Sequence, residues 1–405
     1  MSVGVRDVDD ELLLTRPEFW GRPGRHAAFK RLRDESPVSF HPEVPAPWAP
    51  DGGAGYWAVT RHEDVVALTR NPKVFSNRFG TQPEEWPAAR VASLGMLHMD
   101  DPDHRVWRSI VGPAFAPRSL DGLIDLIREN ADAVIDKLLE DPDSDVVANL
   151  VNSYPVRIIA DMMAMPKEDH DKFVEWTWYA FGPDRVKRDA AHDALIEYGV
   201  KLAATRRDSI GDDVLSRILA AEVDGRRLTD LEVGGFVSLL IGAGAETTGS
   251  TIATGIWQLA LHPEQFAALH ADRSLLNPAV DEILRYTSAV VNFRRTALED
   301  VEVGGQLIKH GEKVVLYYES ANFDERVFDD PERFDITRDS SKQVSFGAGG
   351  PHQCLGEHLG RRVIKVFFEQ LLDRVGSISV TAGLDRPPNP RFNMISEFRA
   401  TFTPA

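Results

Sequence analysis

The sequence predicts a mainly α-helical single domain with small β elements, built around one long central helix. From about residue 120 to residue 276, apolar residues recur at three- and four-residue spacing, which is the pattern of amphipathic helices. Within that region, residues 233–261 are apolar on nearly all sides, so they predict a buried helix around which the remaining elements pack. No internal repeat or flexible linker divides the chain, which favours one domain over residues 1–405.

The long central helix has clear start and stop signals. Thr229 and Glu232 have the spacing of a capping box, and Pro263 stands where a helix that ends near Leu261 would stop. At ~1.5 Å per residue the helix is expected to be roughly 50 Å long. A segment of this length could also span a bilayer, but hydroxyl and amide side chains and Glu246 crowd its second half, which favours a buried helix.

Short β elements are predicted on both sides of the helical region. The alternating residues 56–60 predict a strand, and residues 393–402 also have an extended pattern. Residues 301–305 (VEVGG) and 313–318 (KVVLYY) flank a glycine-containing turn, which predicts a hairpin. Residues 1–16 are expected to form a loose N-terminal segment.

Composition restricts the location and the partners of the protein. The 46 basic and 63 acidic side chains give a net charge of −17, which argues against nucleic acid and anionic membranes as partners. One cysteine excludes an internal disulfide framework and favours a reducing compartment, so a cytoplasmic location is expected. Acidic residues at the N-terminus argue against a secretory signal. The near misses GAGAET and GAGGPH lack the last glycine of a dinucleotide fingerprint, so no flavin or nicotinamide module is expected.

The single cysteine, Cys354, lies in SFGAGGPHQCLGEHLGRR, between a glycine-rich loop and an apparent helix start at Gly356. Such a loop lets backbone approach a flat ligand closely, and a helix N-terminus favours a thiolate, so the segment indicates a metal ligand. Two other interpretations stay open at this point. A lone cysteine is commonly a small buried hydrophobe. His352, Cys354 and His358 could also ligate zinc, although no second pair with structural zinc spacing accompanies them.

A second chemically suggestive stretch, residues 243–248 (AGAETT), lies on the central helix. Threonine in mid-helix commonly bonds back to a carbonyl, but together with Gly244 it can also open the helix locally and leave room for an oxygen molecule. Cleavage of an O–O bond needs protons at the distal oxygen. Glu246 and Thr247 therefore have a chemical reason to be adjacent.

The motif FGAGGPHQCLG resembles the haem-binding signature of the cytochrome P450 family, in which a phenylalanine and glycines lead to a cysteinate followed by a glycine. It has one extra residue between Phe346 and Cys354, a variant similar to the actinobacterial branch that acts on sterol side chains, methyl-branched lipids and terpenoids. AGAETT matches the acid–threonine motif of the family, with Glu in place of the commoner Asp. The resemblance extends from about Pro17 to the C-terminus and implies a cytochrome P450-like single domain, with the long helix over the haem.

The resemblance implies a role for each motif residue. Cys354 would ligate the iron of haem b, Thr247 would stabilise bound molecular oxygen, the co-substrate, and Glu246 would relay protons. The haem propionates need cationic or hydrogen-bonding partners. Positions that match the haem contacts of the family are His104, Arg108, Arg295, His352, Phe346, Gly356, Ala243 and Gly244.

The resemblance also implies a supporting ion network and a substrate pocket. Taken alone, Glu282 and Arg285 would be a solvated helical salt bridge, but in the family order they and Arg333 would form a buried network under the haem loop. Substrate contacts are implied at Val290, Val291, Asn292, Met394 and Ile395, and residues 176–181 are expected to belong to a mobile lid. Phe323 occupies a position that related sequences fill with arginine, a departure expected to affect packing or partner docking nearby.

The function implied by the resemblance is hydroxylation of a C–H bond in a largely apolar small molecule, such as a terpenoid, steroid, fatty acyl or polyketide compound, in biosynthesis or lipid catabolism. With no reductase in the chain, electrons are expected from a ferredoxin and ferredoxin reductase, and the protein is expected to be a monomer. Basic residues expected to receive an acidic ferredoxin are Arg105, Arg118, Arg361, Arg362 and Lys365. Two alternatives are a peroxygenase that uses peroxide, which has less need of the acid–threonine pair, and a non-catalytic haem sensor, for which no signalling module is visible.

Overall fold

The computed structural model describes residues 8–47, 49–182 and 184–405, and helices dominate it. The α-helices are α1 Pro17–Gly21, α2 Arg25–Glu35, α3 His62–Thr69, α4 Ala88–Ser93, α5 Asp103–Val111, α6 Pro117–Leu120, α7 Ile124–Glu140, α8 Tyr154–Met162, α9 His170–Phe181, α10 Arg185–Arg206, α11 Val214–Ala220, α12 Asp230–Leu261, α13 Pro263–Ala271, α14 Leu276–Thr287, α15 Tyr318–Asn322 and α16 Glu357–Arg374. The strands are β1 Val38–His41, β2 Tyr56–Val59, β3 Phe75–Ser76, β4 Ser144–Asp145, β5 Glu222–Val223, β6 Arg226–Arg227, β7 Asn292–Ala297, β8 Val301–Val303, β9 Gln306–Ile308, β10 Lys313–Tyr317, β11 Val375–Asp385 and β12 Glu397–Pro404. The predicted fold class, mainly α with small β elements, is confirmed.

The central helix α12 begins and ends as its sequence predicts. The Glu232 backbone N–H donates to the Thr229 hydroxyl at 3.3 Å, and the Thr229 N–H donates to the Glu232 carboxylate at 2.7 Å, which completes the capping box. Pro263 opens the next helix, α13, directly after the C-cap. The helix continues without a break through residues 243–248, so the local opening that Gly244 and Thr247 could have produced does not occur.

The main hydrophobic core surrounds α12. This helix packs against α8, α9, α10, α14 and α16, and one continuous cluster of buried apolar side chains runs from α5 to β12. A helix that is apolar on nearly all sides loses its contact with water only when other helices enclose it, which explains its central position. No helix among the described residues is long and apolar enough to cross a membrane.

The strands form a five-stranded sheet in the order β1-β2-β10-β7-β3 and a three-stranded sheet in the order β11-β12-β4. The strands predicted at residues 56–60 and 393–402 are confirmed as β2 and β12. The predicted hairpin is wrong in its pairing, because β8 pairs with β9, whereas β10 pairs with β7 and runs parallel to β2. Every residue of β10 is buried, and a continuous apolar strand is stable only in the interior of a sheet.

The N-terminal segment is packed rather than loose over its described part. Leu12 and Leu14 join a second core cluster with Trp20 of α1 and Tyr56 of β2, and the Leu14 N–H donates to His41 Nδ1 at 3.1 Å. Burial of these leucines under the sheet corrects the expectation of a loose segment there. Residues 1–7 lie outside the described residues.

Candidate functional site

Glycines shape the loop that carries Cys354. Gly347, Gly349 and Gly350 have φ values of 96°, 89° and 82°, a region that side-chain-bearing residues rarely adopt. A Cβ on Gly350 would also lie 2.6 Å from the Thr69 carbonyl oxygen. The Cys354 N–H donates to the Phe346 carbonyl at 2.9 Å, which folds the loop back on itself. The loop geometry therefore requires glycine.

Cys354 stands two residues before Gly356, the N-cap of α16. Its side chain is exposed although many protein atoms surround it. Burial raises the pKa of the Cys354 thiol, while a hydrogen bond from the Gly356 N–H lowers this pKa. The predicted helix start after the cysteine is confirmed. The loop-side aromatic ring of Phe346 is half-buried and lies under the Arg361 guanidinium at 5.2 Å.

The middle of α12 combines one exposed position with a buried acid. Ala243 is exposed although its helix is central, and Thr247, one turn later, is half-buried with its hydroxyl donating to the Ala243 carbonyl at 3.0 Å. Glu246 is 4% exposed, and its carboxylate accepts a hydrogen bond from the Ser250 hydroxyl at 2.6 Å. Burial raises the pKa of Glu246 to about 7, so near neutral pH this carboxyl group can hold or release a proton.

Gly244 serves the packing of two helices. A Cβ at this position would lie 2.3 Å from Ile159 Cδ1 of α8, so the glycine lets α8 approach α12 closely. The structure therefore gives Gly244 a packing role against Ile159, and its expected contact with the haem stays a prediction.

The four predicted propionate partners come together from distant parts of the chain. The His104 and His352 rings lie 3.9 Å apart between centroids. Burial lowers the pKa of His352 to about 2, and the charges of His104, Arg295 and Arg108 lower it as well, which places all four groups near one another. Among the described residues, neither Arg108 nor Arg295 has a carboxylate within 4 Å of its guanidinium, and His104 Nδ1 is buried without a hydrogen bond.

This arrangement fits a haem. Two guanidinium groups without a carboxylate partner are stabilised by an incoming dianion, and two imidazoles whose pKa values are lowered by burial can donate hydrogen bonds to it. Haem carries two propionates. Cys354 lies close enough to Arg108 for its charge to act on that guanidinium, so a metal-ligating sulfur and a propionate-binding group border one space. The exposed Ala243 and the glycine-rich loop provide the flat surfaces such a ring requires.

The buried ion network under the cysteine loop exists, but one of its predicted members is wrong. Glu282 and Arg285 are both fully buried and form a bidentate pair at 2.7 and 2.8 Å. The third guanidinium belongs to Arg338, whose Nε lies 3.3 Å from Glu282. The side chain of Arg333 is 62% exposed and binds Asp335 instead. Arg338 is the last residue of DITR, the segment that directly follows PERF.

This network is connected to the cysteine loop through Asn322. Arg285 donates to the Asn322 carbonyl at 2.8 Å, and the Asn322 side chain donates to Ser345 Oγ at 2.9 Å and accepts from the Val344 N–H at 2.8 Å. Residues 344 and 345 directly precede Phe346. The ion pair thus fixes the strand of chain from which the loop begins.

Phe323, the unusual residue beside Asn322, forms part of an aromatic surround for Arg285. The Arg285 guanidinium carbon lies 5.1, 5.3 and 5.8 Å from the ring centroids of Phe323, Phe328 and Tyr286. His26 stacks on the other side of Phe323 at 3.9 Å. The expected effect on packing is therefore visible, because the phenylalanine shields the buried ion pair from water.

Few of the residues predicted to contact the substrate have surface that a ligand could reach. Val291 and Ile395 have no exposed surface and pack into two different hydrophobic cores, so these two predictions are wrong. Asn292 and Met394 are also buried, and the Asn292 amide donates to the Pro390 carbonyl. Val290 alone of the five is half-buried. A strand places alternate side chains on opposite faces, which separates Val290 from Val291.

Two aromatic residues flank the space above α12. Phe181, at the end of α9 and of the expected lid, meets Phe392 edge to face with 4.9 Å between centroids. A Cβ on Gly242 of α12 would lie 3.9 Å from Phe181, so the pair stands next to Ala243. Sequence analysis missed Phe392, although it neighbours the predicted residue Met394.

The zinc interpretation finds no support in the geometry. His352 stacks on His104, and His358 is exposed on the first turn of α16. Within residues 8–47, 49–182 and 184–405, no group of three or more potential ligands is arranged to hold a metal ion.

Comparisons with known proteins agree on one family. The model of the family described as Cytochrome P450 matches residues 156–389. The methyl-branched lipid omega-hydroxylase of Mycobacterium tuberculosis strain H37Rv is 37% identical over 394 residues, which cover 94% of this chain and 91% of the relative. The steroid C26-monooxygenase of Rhodococcus jostii is 32% identical, covering 100% of this chain and 87% of the relative. The structure of a Mycobacterium marinum cytochrome P450 in complex with pseudoionone matches with a TM-score of 0.91 and 36% identity, covering 99% of this chain and 100% of the other.

Proposed function

This chain belongs to the cytochrome P450 family and is a monooxygenase with haem b as cofactor and O2 as co-substrate, and we propose that it hydroxylates an apolar lipid with Cys354 as the iron ligand. The observation that carries the proposal is the cluster of His104, Arg108, Arg295 and His352 beside the Cys354 loop. Its arginines lack carboxylate partners among the described residues, and haem propionates would supply them.

Haem b, when bound, supplies the chemistry that reduces O2 and transfers one oxygen atom to a substrate C–H bond, while the other atom leaves as water after two electrons and two protons arrive. The protein must hold the ring, exclude bulk water and deliver protons. Cys354 would bind iron as a thiolate. Because burial alone keeps the proton on this sulfur, loading of the metal would have to displace it.

Glu246 and Thr247 would deliver protons on the α12 side of the site. The pKa of Glu246 is raised to about 7, so its carboxyl group can hold a proton near neutral pH. The carboxyl group accepts a hydrogen bond from the Ser250 hydroxyl on the same helix. The Thr247 hydroxyl donates its hydrogen bond to the Ala243 carbonyl, so the hydroxyl oxygen remains free to accept a hydrogen bond. The pair thus combines a proton reservoir with an oriented acceptor, which supports O2 rather than peroxide as the oxidant.

A lipid substrate is supported by two relatives and by the character of the pocket. The names of the omega-hydroxylase and of the steroid C26-monooxygenase both describe oxidation of a lipid. In this chain, the exposed Ala243 and the rings of Phe181 and Phe392 beside it give the distal space an apolar surface. Such a surface favours hydrocarbon over polar ligands.

The first experiment compares the absorbance of the dithionite-reduced, carbon monoxide-bound protein with that of Cys354→Ala. A strong red-shifted band is expected in the wild type and its loss is expected in the variant, because the shift reports thiolate ligation. His358→Ala, which removes an exposed metal-capable side chain near the cysteine, should retain the band. Retention of the band in Cys354→Ala would contradict the assignment of the ligand.

The family requires redox partners, and we propose a ferredoxin with its reductase. Arg105 and Arg118 are exposed and Lys365 is half-buried. Four of the five predicted residues already have an acid nearby: Arg105 lies 2.7 Å from Asp101, Lys365 lies 3.8 Å from Glu369, Arg362 lies 2.6 Å from Asp121, and Arg361 binds Asp281. Arg118, which has no acid partner among the described residues, and Lys365, whose acid partner lies beyond hydrogen-bond distance, would therefore give most of the attraction for an acidic partner.

Charge reversal tests this surface. The double variant Arg118→Glu/Lys365→Glu is expected to slow reduction by ferredoxin about tenfold at low salt, and the difference should shrink at high salt. Arg227→Glu on β6, which changes an exposed arginine elsewhere, is the matched control. Equal rates for the wild type and the double variant at low salt would refute the docking site.

We also propose a cytoplasmic location and a monomeric state. Support for the location comes from the reducing environment that a single unpaired cysteine favours. Sedimentation of the purified chain as a single-chain species at micromolar concentration is the expected result, and a stable dimer would contradict it.

A further inference from the structure

Four hydroxyl groups in the second half of α12 donate hydrogen bonds one turn back along the helix, and one of them differs from the rest. Thr247, Thr251 and Thr254 donate to the backbone carbonyl four residues earlier, at 3.0, 2.7 and 2.8 Å, as hydroxyls in mid-helix commonly do. Ser250 donates instead to the side chain four residues earlier, the Glu246 carboxyl, at 2.6 Å. The acid of the acid–threonine pair thus binds a hydroxyl that would otherwise bind backbone.

The pair formed by Glu246 and Ser250 is shielded from water. Glu246 is 4% exposed and Ser250 is 1% exposed. A Cβ on Gly249, next to Ser250, would lie 2.6 Å from the Val151 carbonyl oxygen, so residues 147–151, which carry no charged side chain, pack directly on the helix there. Because a buried carboxyl group without a hydrogen bond is costly, the Ser250 hydroxyl holds the carboxyl in one orientation.

The acid and the threonine are bound in opposite directions along the helix. The Thr247 hydroxyl donates to the Ala243 carbonyl in the preceding turn, whereas the Glu246 carboxyl accepts from Ser250 in the following turn. Among the described residues, no hydrogen bond joins Glu246 to Thr247. A proton on Glu246 therefore reaches the Thr247 hydroxyl directly only after the carboxyl has left Ser250.

Release of the carboxyl leaves the Ser250 hydroxyl with another acceptor. The backbone carbonyl of Glu246 stands four residues before Ser250, which is the position that the hydroxyls of Thr251 and Thr254 use in their own turns. The Ser250 hydroxyl can turn to that carbonyl, so no buried donor is left without a partner. The serine can therefore exchange one acceptor for the other with little loss of hydrogen bonding.

Neighbouring charges do not control the Glu246 carboxyl. Among the described residues, burial raises its pKa to about 7 and the Ser250 hydroxyl lowers this pKa, and no charged side chain adds to these two influences. The charged side chains of nearby elements bind other groups: Arg157 of α8 binds Asp171, Asp161 of α8 lies 3.8 Å from His170, and Arg386 donates to the Thr254 hydroxyl at 2.9 Å. The orientation of the carboxyl thus depends on the serine.

We propose that Ser250 is a positioning residue for proton delivery, whose hydroxyl holds the Glu246 carboxyl away from Thr247 and releases it by turning to the Glu246 backbone carbonyl. This inference rests on the proposed function, in which Glu246 and Thr247 deliver protons. Ser250 keeps its own hydrogen in the exchange, and the proton that is delivered is the one on the Glu246 carboxyl.

Infrared absorption of the haem-loaded protein tests the hydrogen bond directly. The C=O stretch of the protonated Glu246 carboxyl is identified at pH 5 by its absence in Glu246→Gln. In Ser250→Ala this stretch should move to higher frequency, because the carbonyl loses its hydrogen bond. Ser250→Thr keeps a hydroxyl and should restore the wild-type frequency. If Ser250→Ala folds poorly, Ser250→Cys, a weaker donor, should shift the stretch in the same direction by a smaller amount.

The pH dependence of turnover gives a readout that a merely structural role would not move. Because the Ser250 hydroxyl lowers the pKa of Glu246, its removal should move the alkaline limb of the kcat profile to higher pH, together with the midpoint of the infrared titration. KM should be unchanged, since Ser250 is 1% exposed and offers the substrate no surface. Thr251→Val removes a neighbouring buried hydroxyl and is the matched control, expected to change neither readout.

An unchanged infrared band in Ser250→Ala would overturn the proposal, because the hydroxyl would then not hold the carboxyl. A shifted band with an unmoved kcat profile would overturn it as well, since the bond would then be structural only. Failure of the proposed function has a different signature. If Glu246→Gln retains the alkaline limb, Glu246 delivers no proton, whereas loss of the limb in Glu246→Gln without a shift in Ser250→Ala refutes the role of the serine alone.

Discussion

Two buried glutamates, Glu282 under the cysteine loop and Glu246 on α12, differ in the number of groups that bind their carboxyl oxygens. Glu282 pairs with Arg285 and Arg338, and it accepts hydrogen bonds from the Ser340 hydroxyl and the Asp335 N–H. Glu246 has the single hydroxyl of Ser250. A carboxylate that accepts hydrogen bonds from several donors fixes the chain around it, whereas a buried carboxyl group with one neutral partner can exchange its proton near neutral pH. The same residue type thus serves structure in one region and proton transfer in the other.

The largest expected effect comes from removing the charge of Glu282. Glu282→Gln leaves Arg285 buried without its counter-ion and should lower the free energy of unfolding by about 3–5 kcal/mol. Chemical denaturation of both proteins measures the change. Arg333→Gln, at the position wrongly assigned to the network, should change stability by no more than about 0.5 kcal/mol, since the side chain is exposed. A large loss of stability in Arg333→Gln would mean that Arg333 does belong to the network.

Glu246 predicts a dependence of stability on pH. Its pKa is raised from 4.5 to about 7, so the folded protein retains a proton that the unfolded chain has lost between these values. The contribution of Glu246 to the free energy of unfolding is therefore fully present below about pH 4.5. It falls as the pH rises and levels off above about pH 7, with a total change of about 3 kcal/mol.

Unfolding of the wild type and of Glu246→Gln at pH 5 and pH 7.5 measures this effect. Stability of Glu246→Gln should lack this component of the pH dependence, because its amide carries no titrating proton. An identical pH dependence in both proteins would mean that Glu246 is charged throughout, and the contrast with Glu282 would disappear.

Thr247 gives the smallest of the three effects, measured on activity rather than stability. Thr247→Ala should uncouple oxygen consumption from product, lowering the product per electron about tenfold, because the hydroxyl that would orient bound oxygen is lost. Thr248→Ala removes the neighbouring hydroxyl of the same motif and should keep its coupling. Unchanged coupling in Thr247→Ala would favour direct use of peroxide.

Local patterns were sufficient wherever a few consecutive residues specify the geometry. The capping box at Thr229, the glycines before Cys354 and the alternation in β2 each predicted an element that the structure contains. Side-chain direction was harder to predict. Val290 and Val291 are neighbours in sequence, yet Val290 is half-buried against the core of the five-stranded sheet, whereas Val291 is fully buried in a separate core.

By itself, the sequence determined the long buried helix, the cysteine loop, the acid–threonine pair and the family, because their chemistry is contained in short segments with fixed spacing. Only the tertiary structure decided that Arg338 rather than Arg333 reaches Glu282, and that β10 pairs with β2 and β7. These contacts join segments far apart in the chain, and no local pattern encodes them, since which side chains meet depends on how whole elements pack.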